Sequence, residues 1–279
     1  MARTTKDVHH GPAISVSDAR LSACLDDGPP DIDALWEFCL YFEFNRTELI
    51  DGLASWLGSP EGCRILDCAC GTGLPALDLV RRGYDVTCSD GSPLMLKAFR
   101  RNAQLEGLAI ESAQVTWEEL AGYYGEAFDV VMCRGGGSYL YAGTWDRDVL
   151  PDWHALTDAI RQFVACLRPD GRLYVDITRA EDLARLEPQW TRHPHLLVGS
   201  HTVELEERIT AEPEQGIRVW HSWMRVDSTT YEFERRSHYL PHEQLVALLT
   251  DAGLVGVHKE PVRGERYDVF VGSRPGTTR

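Results

Sequence analysis

Between residues 63 and 93 the apolar positions change period twice. Ile65 and Leu66 form a short apolar run that ends in Asp67. A turn holding Gly71 and Gly73 follows. Leu74, Leu77 and Val80 then space out as one helix face, with Pro75 in the first turn, where its fixed φ and missing N–H are tolerated. A second apolar stretch, Val86 to Ser89, closes on Asp90. The pattern predicts strand, glycine turn, helix, strand and acid, a βαβ unit suited to holding a nucleoside.

The rest of the chain extends this unit. From Asp31 to Leu57 the positions Leu35, Trp36, Cys39, Leu40, Leu49, Leu53 and Trp56 predict one long amphipathic helix. Ser92 and Pro93 mark the start of another that stops at Gly107. Strands are expected at Ile110 to Val115 and Phe128 to Cys133. A helix is expected from Asp152 to Arg168, and then a fifth strand entered through Pro169, Asp170 and Gly171. Residues 201–240 alternate apolar and polar positions in three stretches, which predicts an antiparallel β insertion forming a wall or cap. Pro241 to Ala252 is the last helix, and Val255–His258 and Tyr267–Val271 form a closing strand pair. The expected fold is α/β: a Rossmann-like parallel sheet with helices on both faces and the insertion after strand five. Residues 1–30, polar and broken by Gly and Pro, read as a flexible segment or flap. Residues 31–200 read as the core with an N-terminal helical lid, and 241–279 as the return to the core sheet.

Composition narrows the function. The 279 residues carry a net charge of −15, which disfavours nucleic acid, whose binding rests on basic patches. No apolar run approaches the roughly 20 residues that span a bilayer, so no membrane association is expected. The N-terminal stretch MARTTKDVHHGP has no apolar core like that of a secretory signal. The eight cysteines include no C-x-x-C pair, which speaks against a zinc knuckle. They read as buried, reduced thiols in a cytoplasmic protein.

The glycine turn GTGLPA also fits the loose dinucleotide pattern, and the acids weigh against that reading. A pyrophosphate wants backbone N–H groups and no anion nearby. Here Asp67 lies four residues before Gly71, at the mouth of the turn. S-adenosylmethionine brings an ammonium and a sulfonium, which such an acid helps to hold. Asp90, nineteen residues after Gly71, is placed to accept both ribose hydroxyls. Asp67 as a mere helix cap remains the plainer alternative for that residue.

DCACGTG followed by CSDGSPLMLK resembles the class I S-adenosylmethionine-dependent methyltransferases, and within them the glycine and sarcosine N-methyltransferase group. The resemblance implies S-adenosyl-L-methionine as cofactor and a donor site built from Trp36, Arg46, Asp67, Ala69, Gly71, Gly73, Leu74, Asp90, Gly91, Met95, Thr116, Trp117, Cys133 and Arg134. In it Trp36 lids the donor, Arg46 pairs with the methionine carboxylate, and Met95 and Trp117 flank the adenine. An acceptor site is implied at Tyr41, Glu43, Gly136, Tyr139, Arg179 and Tyr239. Gly136 stands where the glycine methyltransferases carry an Asn, and Arg179 falls one residue late for their carboxylate-gripping Arg. Arg134 reads either as a cation that keeps an acceptor amine neutral or as a grip for its carboxylate. Glu43 and Glu118 suit a basic acceptor. No catalytic base or metal ligand is assigned. A small-molecule N-methyltransferase is expected, and a homo-oligomer is compatible with it. An O- or C-methyltransferase, a non-catalytic donor-binding protein and a dinucleotide oxidoreductase remain the alternatives.

Overall fold

The computed structural model describes residues 12–135 and 153–276. In chain order the elements are β1 (Ile14–Val16), α1 (Ala19–Asp26), α2 (Ile32–Glu43), α3 (Arg46–Leu57), β2 (Arg64–Asp67), α4 (Ala76–Arg81), β3 (Asp85–Asp90), α5 (Pro93–Leu105), β4 (Ser112–Gln114), α6 (Leu120–Tyr124) and β5 (Phe128–Cys133). After the undescribed residues come α7 (Trp153–Cys166), β6 (Leu167–Ile177), α8 (Ala180–Leu183), β7 (Gln189–Arg192), β8 (Leu196–Val198) and β9 (His201–Glu212). The chain closes with β10 (Ile217–Val226), β11 (Thr229–His238), α9 (His242–Asp251), β12 (Val255–Glu260) and β13 (Asp268–Ser273).

Seven strands form the core sheet in the order β12-β13-β6-β5-β2-β3-β4. β13 runs antiparallel to β6, and the strands from β6 to β4 pair in parallel. Alternation along each strand feeds two cores. Ile65, Val130 and Met132 face the layer of α3, α4 and α5; Leu66, Val131 and Cys133 face α6, α7 and α9. Chain order reverses direction between β2 and β5, which opens a crevice at their carboxyl ends.

A second sheet runs β1-β8-β9-β10-β11, with β7 also paired to β9. It begins near residue 189, earlier than the alternation at 201–240 indicates, and it recruits β1 from the N-terminal end. Its inner face packs Leu196, Val203, Leu205, Trp220 and Met224 on α1 and α2. This corrects the expectation of a flexible stretch for residues 12–30. Asp18 caps α1 by accepting from Arg20 N and Leu21 N, and Leu21, Cys24 and Leu25 are core. Residues 1–11 lie outside the described residues.

The long helix expected from Asp31 to Leu57 is two helices. Phe44 is extended (φ −117°, ψ 131°), and Asn45 starts α3 by accepting from Glu48 N. α3 is pressed against the loop before β13. A Cβ on Gly52 would overlap the Arg263 carbonyl, and one on Gly264 (φ +78°) would overlap the backbone of Leu49. Gly52→Ala is therefore expected to cost about 1–3 kcal/mol in urea denaturation. Gly122→Ala, with nothing within 4 Å of the added carbon, should be neutral or stabilising.

Among the described residues no helix is long and apolar enough to cross a membrane, and no cluster of three or more His, Cys, Asp or Glu side chains could hold a metal ion. All eight cysteines are free thiols. Cys68 and Cys70 pack into opposite cores; both follow the end of β2 at Asp67, where the two-residue period of the strand no longer holds.

Candidate functional site

The crevice at the switch point has a volume of about 520 Å³. β2 leads into its floor at Cys68, Ala69, Cys70 and Gly71; β3 supplies Asp90, Gly91 and Ser92; Met95 follows on α5. Thr116 and Trp117 form one wall, and Arg134 and Gly135 leave β5. α2 closes it with Ile32, Trp36 and Leu40, one stripe at a spacing of four residues. The turn needs its glycines. Gly71 has φ +51° and stands with its Cβ position 3.7 Å from Trp36 Nε1. Gly73 has φ +117°, and a Cβ there would meet Leu77 Cδ1 at 2.6 Å.

Asp90 binds the turn to the sheet. Its Oδ2 accepts from Gly71 N at 2.9 Å and its Oδ1 from Ser92 N at 2.8 Å. Burial raises its pKa, and these two hydrogen bonds work against that rise. Trp117 donates Nε1–H to the Cys68 carbonyl at 2.7 Å and meets Phe163 edge-on, so its ring stands as a fixed wall. Asn102 donates to both Glu37 on α2 (2.6 Å) and the Thr72 carbonyl (2.9 Å), which ties the lid helix to the glycine turn.

Of the sequence-derived donor residues, Trp36, Ala69, Gly71, Leu74, Asp90, Gly91, Met95, Thr116, Trp117 and Arg134 line this crevice. Four do not. Gly73 acts in turn-to-helix packing. Cys133 points into the opposite core, because alternation along β5 sends it away from the crevice. Arg46 is held by Asp78 (Nε to Oδ1, 2.8 Å) and Glu106 (Nη2 to Oε1, 3.3 Å), a network that Arg20 and Arg81 also join. The break at Phe44–Asn45 directs it there, so the reading of Arg46 as a carboxylate grip is withdrawn. Asp67 is 2% exposed and does not line the crevice. Its Oδ1 accepts from Ala69 N at 3.2 Å, while Oδ2 is buried without a hydrogen-bond partner.

Asp67 can therefore reach the crevice only through its field. Burial pushes its carboxyl up to about 7; Asp90 and Asp176 add to the rise, and the Ala69 N–H and Arg134 oppose it. Arg134 is itself buried and neutralised. Its Nε donates to Glu265 Oε2 at 2.8 Å and Nη2 to Oε1 at 3.3 Å, and it lies 4.7 Å from the Phe44 ring centre. Burial works against the guanidinium charge, and Glu265, Tyr174 and Asp176 override it. With Arg134 matched by Glu265, the acids Asp67, Asp90 and Asp176 leave the floor net negative. That suits a cationic nucleoside and repels a pyrophosphate. A cationic ligand needs Asp67 ionised, so affinity for S-adenosylmethionine should rise from pH 6 to pH 8 and level off above. Asp67→Asn should flatten that profile in a calorimetric pH series.

Beyond Phe44 lies a cluster of polar and charged side chains. The Phe44 ring faces Tyr267 (centroids 6.2 Å apart), and Tyr267, Glu43, Arg218 and Arg235 interact electrostatically across it. Glu43 ends α2, half-buried, with no hydrogen bond to its carboxylate among the described residues. Burial, then Glu207, pushes it up to about 7, against Arg266, Arg218 and His193. Glu207 accepts from His193 Nε2 (2.6 Å) and Trp220 Nε1 (2.7 Å). Tyr239 is also within electrostatic reach of Arg218.

Arg179 is not available there. It donates Nη2 to the Glu265 carbonyl at 3.0 Å, because the turn after β6 brings it back onto that loop. Tyr41 stands 40% exposed, edge-on to Phe42. Glu118 is exposed on a single 3₁₀ turn. Gly136 and Tyr139 lie outside the described residues. His242, read as structural, points Nε2 at the Thr178 carbonyl (3.1 Å) and packs edge-on to Phe270. Sequence reasoning missed Glu265, whose partner Arg134 is 131 residues away, and Arg218, which has no ion-pair partner among the described residues to mark it.

A family model described as a methyltransferase domain matches residues 65–171. The chain is 28% identical to a glycine/sarcosine N-methyltransferase of Aphanothece halophytica, over 54% of this chain and 51% of the relative. It is also 28% identical to a ubiquinone biosynthesis O-methyltransferase of Xanthomonas axonopodis pv. citri, over 48% of this chain and 56% of the relative. The chain thus spans about half the length of the curated relatives it matches. Among solved structures, the sugar N-methyltransferase KedS8 from Streptoalloteichus superposes with a TM-score of 0.70 over 99% of both chains at 20% identity, a likeness of fold. Together the sheet order and the crevice give the class I S-adenosylmethionine-dependent methyltransferase fold, and residues 65–171 within it match a methyltransferase domain.

Proposed function

We propose that the chain is an S-adenosylmethionine-dependent N-methyltransferase acting on the amine of a small molecule. The donor brings a methyl group already activated on a sulfonium; what remains for the protein is orientation, desolvation and control of one proton. In this reading Asp90 receives the ribose hydroxyls, Met95 and Trp117 hold the adenine, and Trp36 covers the bound nucleoside. Asp67 and Asp176 offset its positive charge from below. The second sheet is the cap under which the acceptor lies, and the free thiols fit a cytoplasmic setting.

Glu43 is the observation that carries the choice of nitrogen. A half-buried carboxyl pushed up to about 7, lacking a hydrogen-bond donor and set one residue from Phe44, can hold an ammonium and take its proton near neutral pH. The amine attacks only once neutral, so the proton must leave first. A radiolabelled-methyl assay over matched primary amines, phenols and carboxylic acids tests the reading. Methylation of amines, with the activity of Glu43→Gln falling about 100-fold, is the expected result. Transfer to phenols alone would replace the reading with O-methylation.

A further inference from the structure

The inner face of the second sheet ends in two guanidinium groups. Arg218 and Trp220 share that face of β10, and Arg235 on β11 stands opposite Trp220, its guanidinium 5.3 Å from the ring centre. Three other arginines of this sheet have carboxylate partners, Arg192 with Glu206, Arg225 with Glu204 and Arg236 with Glu212, and Arg208 lies over the Trp190 and Trp223 rings with its Nη2 3.4 Å from His221 Nδ1. Arg218 differs. Its Nε is buried without a hydrogen-bond partner, and it forms no ion pair among the described residues. Glu43 and Asp182 act on it only across a distance, while Arg235 adds a like charge. In a chain of net charge −15, an inward-facing guanidinium left without a carboxylate is a conspicuous expense. The two cations that the sequence offered for an acceptor are occupied, Arg134 by Glu265 and Arg179 by the Glu265 carbonyl.

We infer that Arg218 is the anion-recognition residue of the acceptor site: the methyl acceptor carries a carboxylate or phosphate that pairs with this guanidinium while its amine lies toward Glu43. The inference rests on the N-methyltransferase reading and narrows it to amines bearing an anionic group. A planar guanidinium presents a fork to either anion, so both match its geometry.

Calorimetric titration of the full chain, saturated with S-adenosylhomocysteine, with acetate and separately with inorganic phosphate tests it without knowledge of the acceptor. At least one anion should bind, and Arg218→Met should weaken it by about tenfold or more. Arg218→Lys, which keeps the charge and loses the fork, should fall between. Whichever anion binds names the source. Failure of both to bind, or equal binding by Arg218→Met, overturns the inference. A purely structural arginine would show itself in the melt: Arg218→Met is expected to hold or raise the thermal midpoint, and a fall of more than about 4 °C overturns the assignment. The amine assay separates the two levels. Methylation of amines without an anionic group, unaffected by Arg218→Met, removes the inference and leaves N-methylation standing. Arg218-dependent anion binding with methyl transfer only to oxygen removes N-methylation, and with it the amine half of the inference, and leaves Arg218 as the anion site.

Discussion

Asp90→Ala should weaken S-adenosylmethionine binding about 100-fold, since hydrogen bonds to a charged group are worth about 1.5–3 kcal/mol each and a ribose diol would make two. Each Asp90 oxygen already accepts one backbone N–H, from Gly71 or Ser92. Each keeps acceptor capacity for a second partner, and the residue lines the crevice. Alanine removes both functions: the acceptors for the diol and the tie that holds Gly71 to the end of β3. Asp90→Asn retains one acceptor but turns an amide N–H toward one of the two backbone donors, so a smaller loss of about tenfold is expected. Calorimetry with S-adenosylhomocysteine reads both variants free of turnover. Unchanged affinity in Asp90→Ala would displace the ribose from this position and with it the whole orientation of the nucleoside.

The second large effect falls on stability. Arg134 and Glu265 side chains are 3% and 1% exposed, and Tyr174 donates its hydroxyl to the same carboxylate at 3.1 Å. Glu265→Ala leaves a guanidinium and a phenol in the interior with nothing to receive them. Breaking such a pair from one side costs about 3–5 kcal/mol. For a domain of this size that corresponds to a fall in thermal midpoint of about 10 °C. The double variant Arg134→Met, Glu265→Leu should recover most of the loss, because the desolvation of both charges disappears together. A Glu265→Ala melt within about 1 kcal/mol of the parent would mean that the pair is wet or easily replaced.

The βαβ unit was legible because its determinants are local. A strand end, two glycines with positive φ, a helix stripe and an acid all fall within 31 residues, and each acts on its neighbours. Trp36 and Trp117 were reached through the resemblance, and both line the crevice. Charged residues fared worse. Arg46, Arg134 and Arg179 each looked available in the sequence, yet each finds a partner between 32 and 131 residues away. Only the folded chain reveals which cations are already matched. Two misses did have local markers. Asn45-Arg46-Thr47-Glu48 carries the spacing of a capping box, which marks the start of α3. Leu21, Cys24 and Leu25 form a short helix stripe after Asp18, masked by the glycine and prolines that follow. The lack of an ion pair at Arg218 had no marker at all, since every alternating strand of the second sheet carries charges.

One rigid rod, α2, joins the crevice to the polar cluster beyond Phe44. Its Ile32–Trp36–Leu40 stripe roofs the crevice, its Leu35–Phe38–Cys39 stripe rests on the second sheet, and its last residue, Glu43, belongs to that cluster. A twelve-residue helix moves as a unit, so a tilt that tightens the roof also shifts Glu43. Whatever free energy a ligand in the crevice spends on moving that rod is felt by a group bound beside Glu43 with the same sign and size.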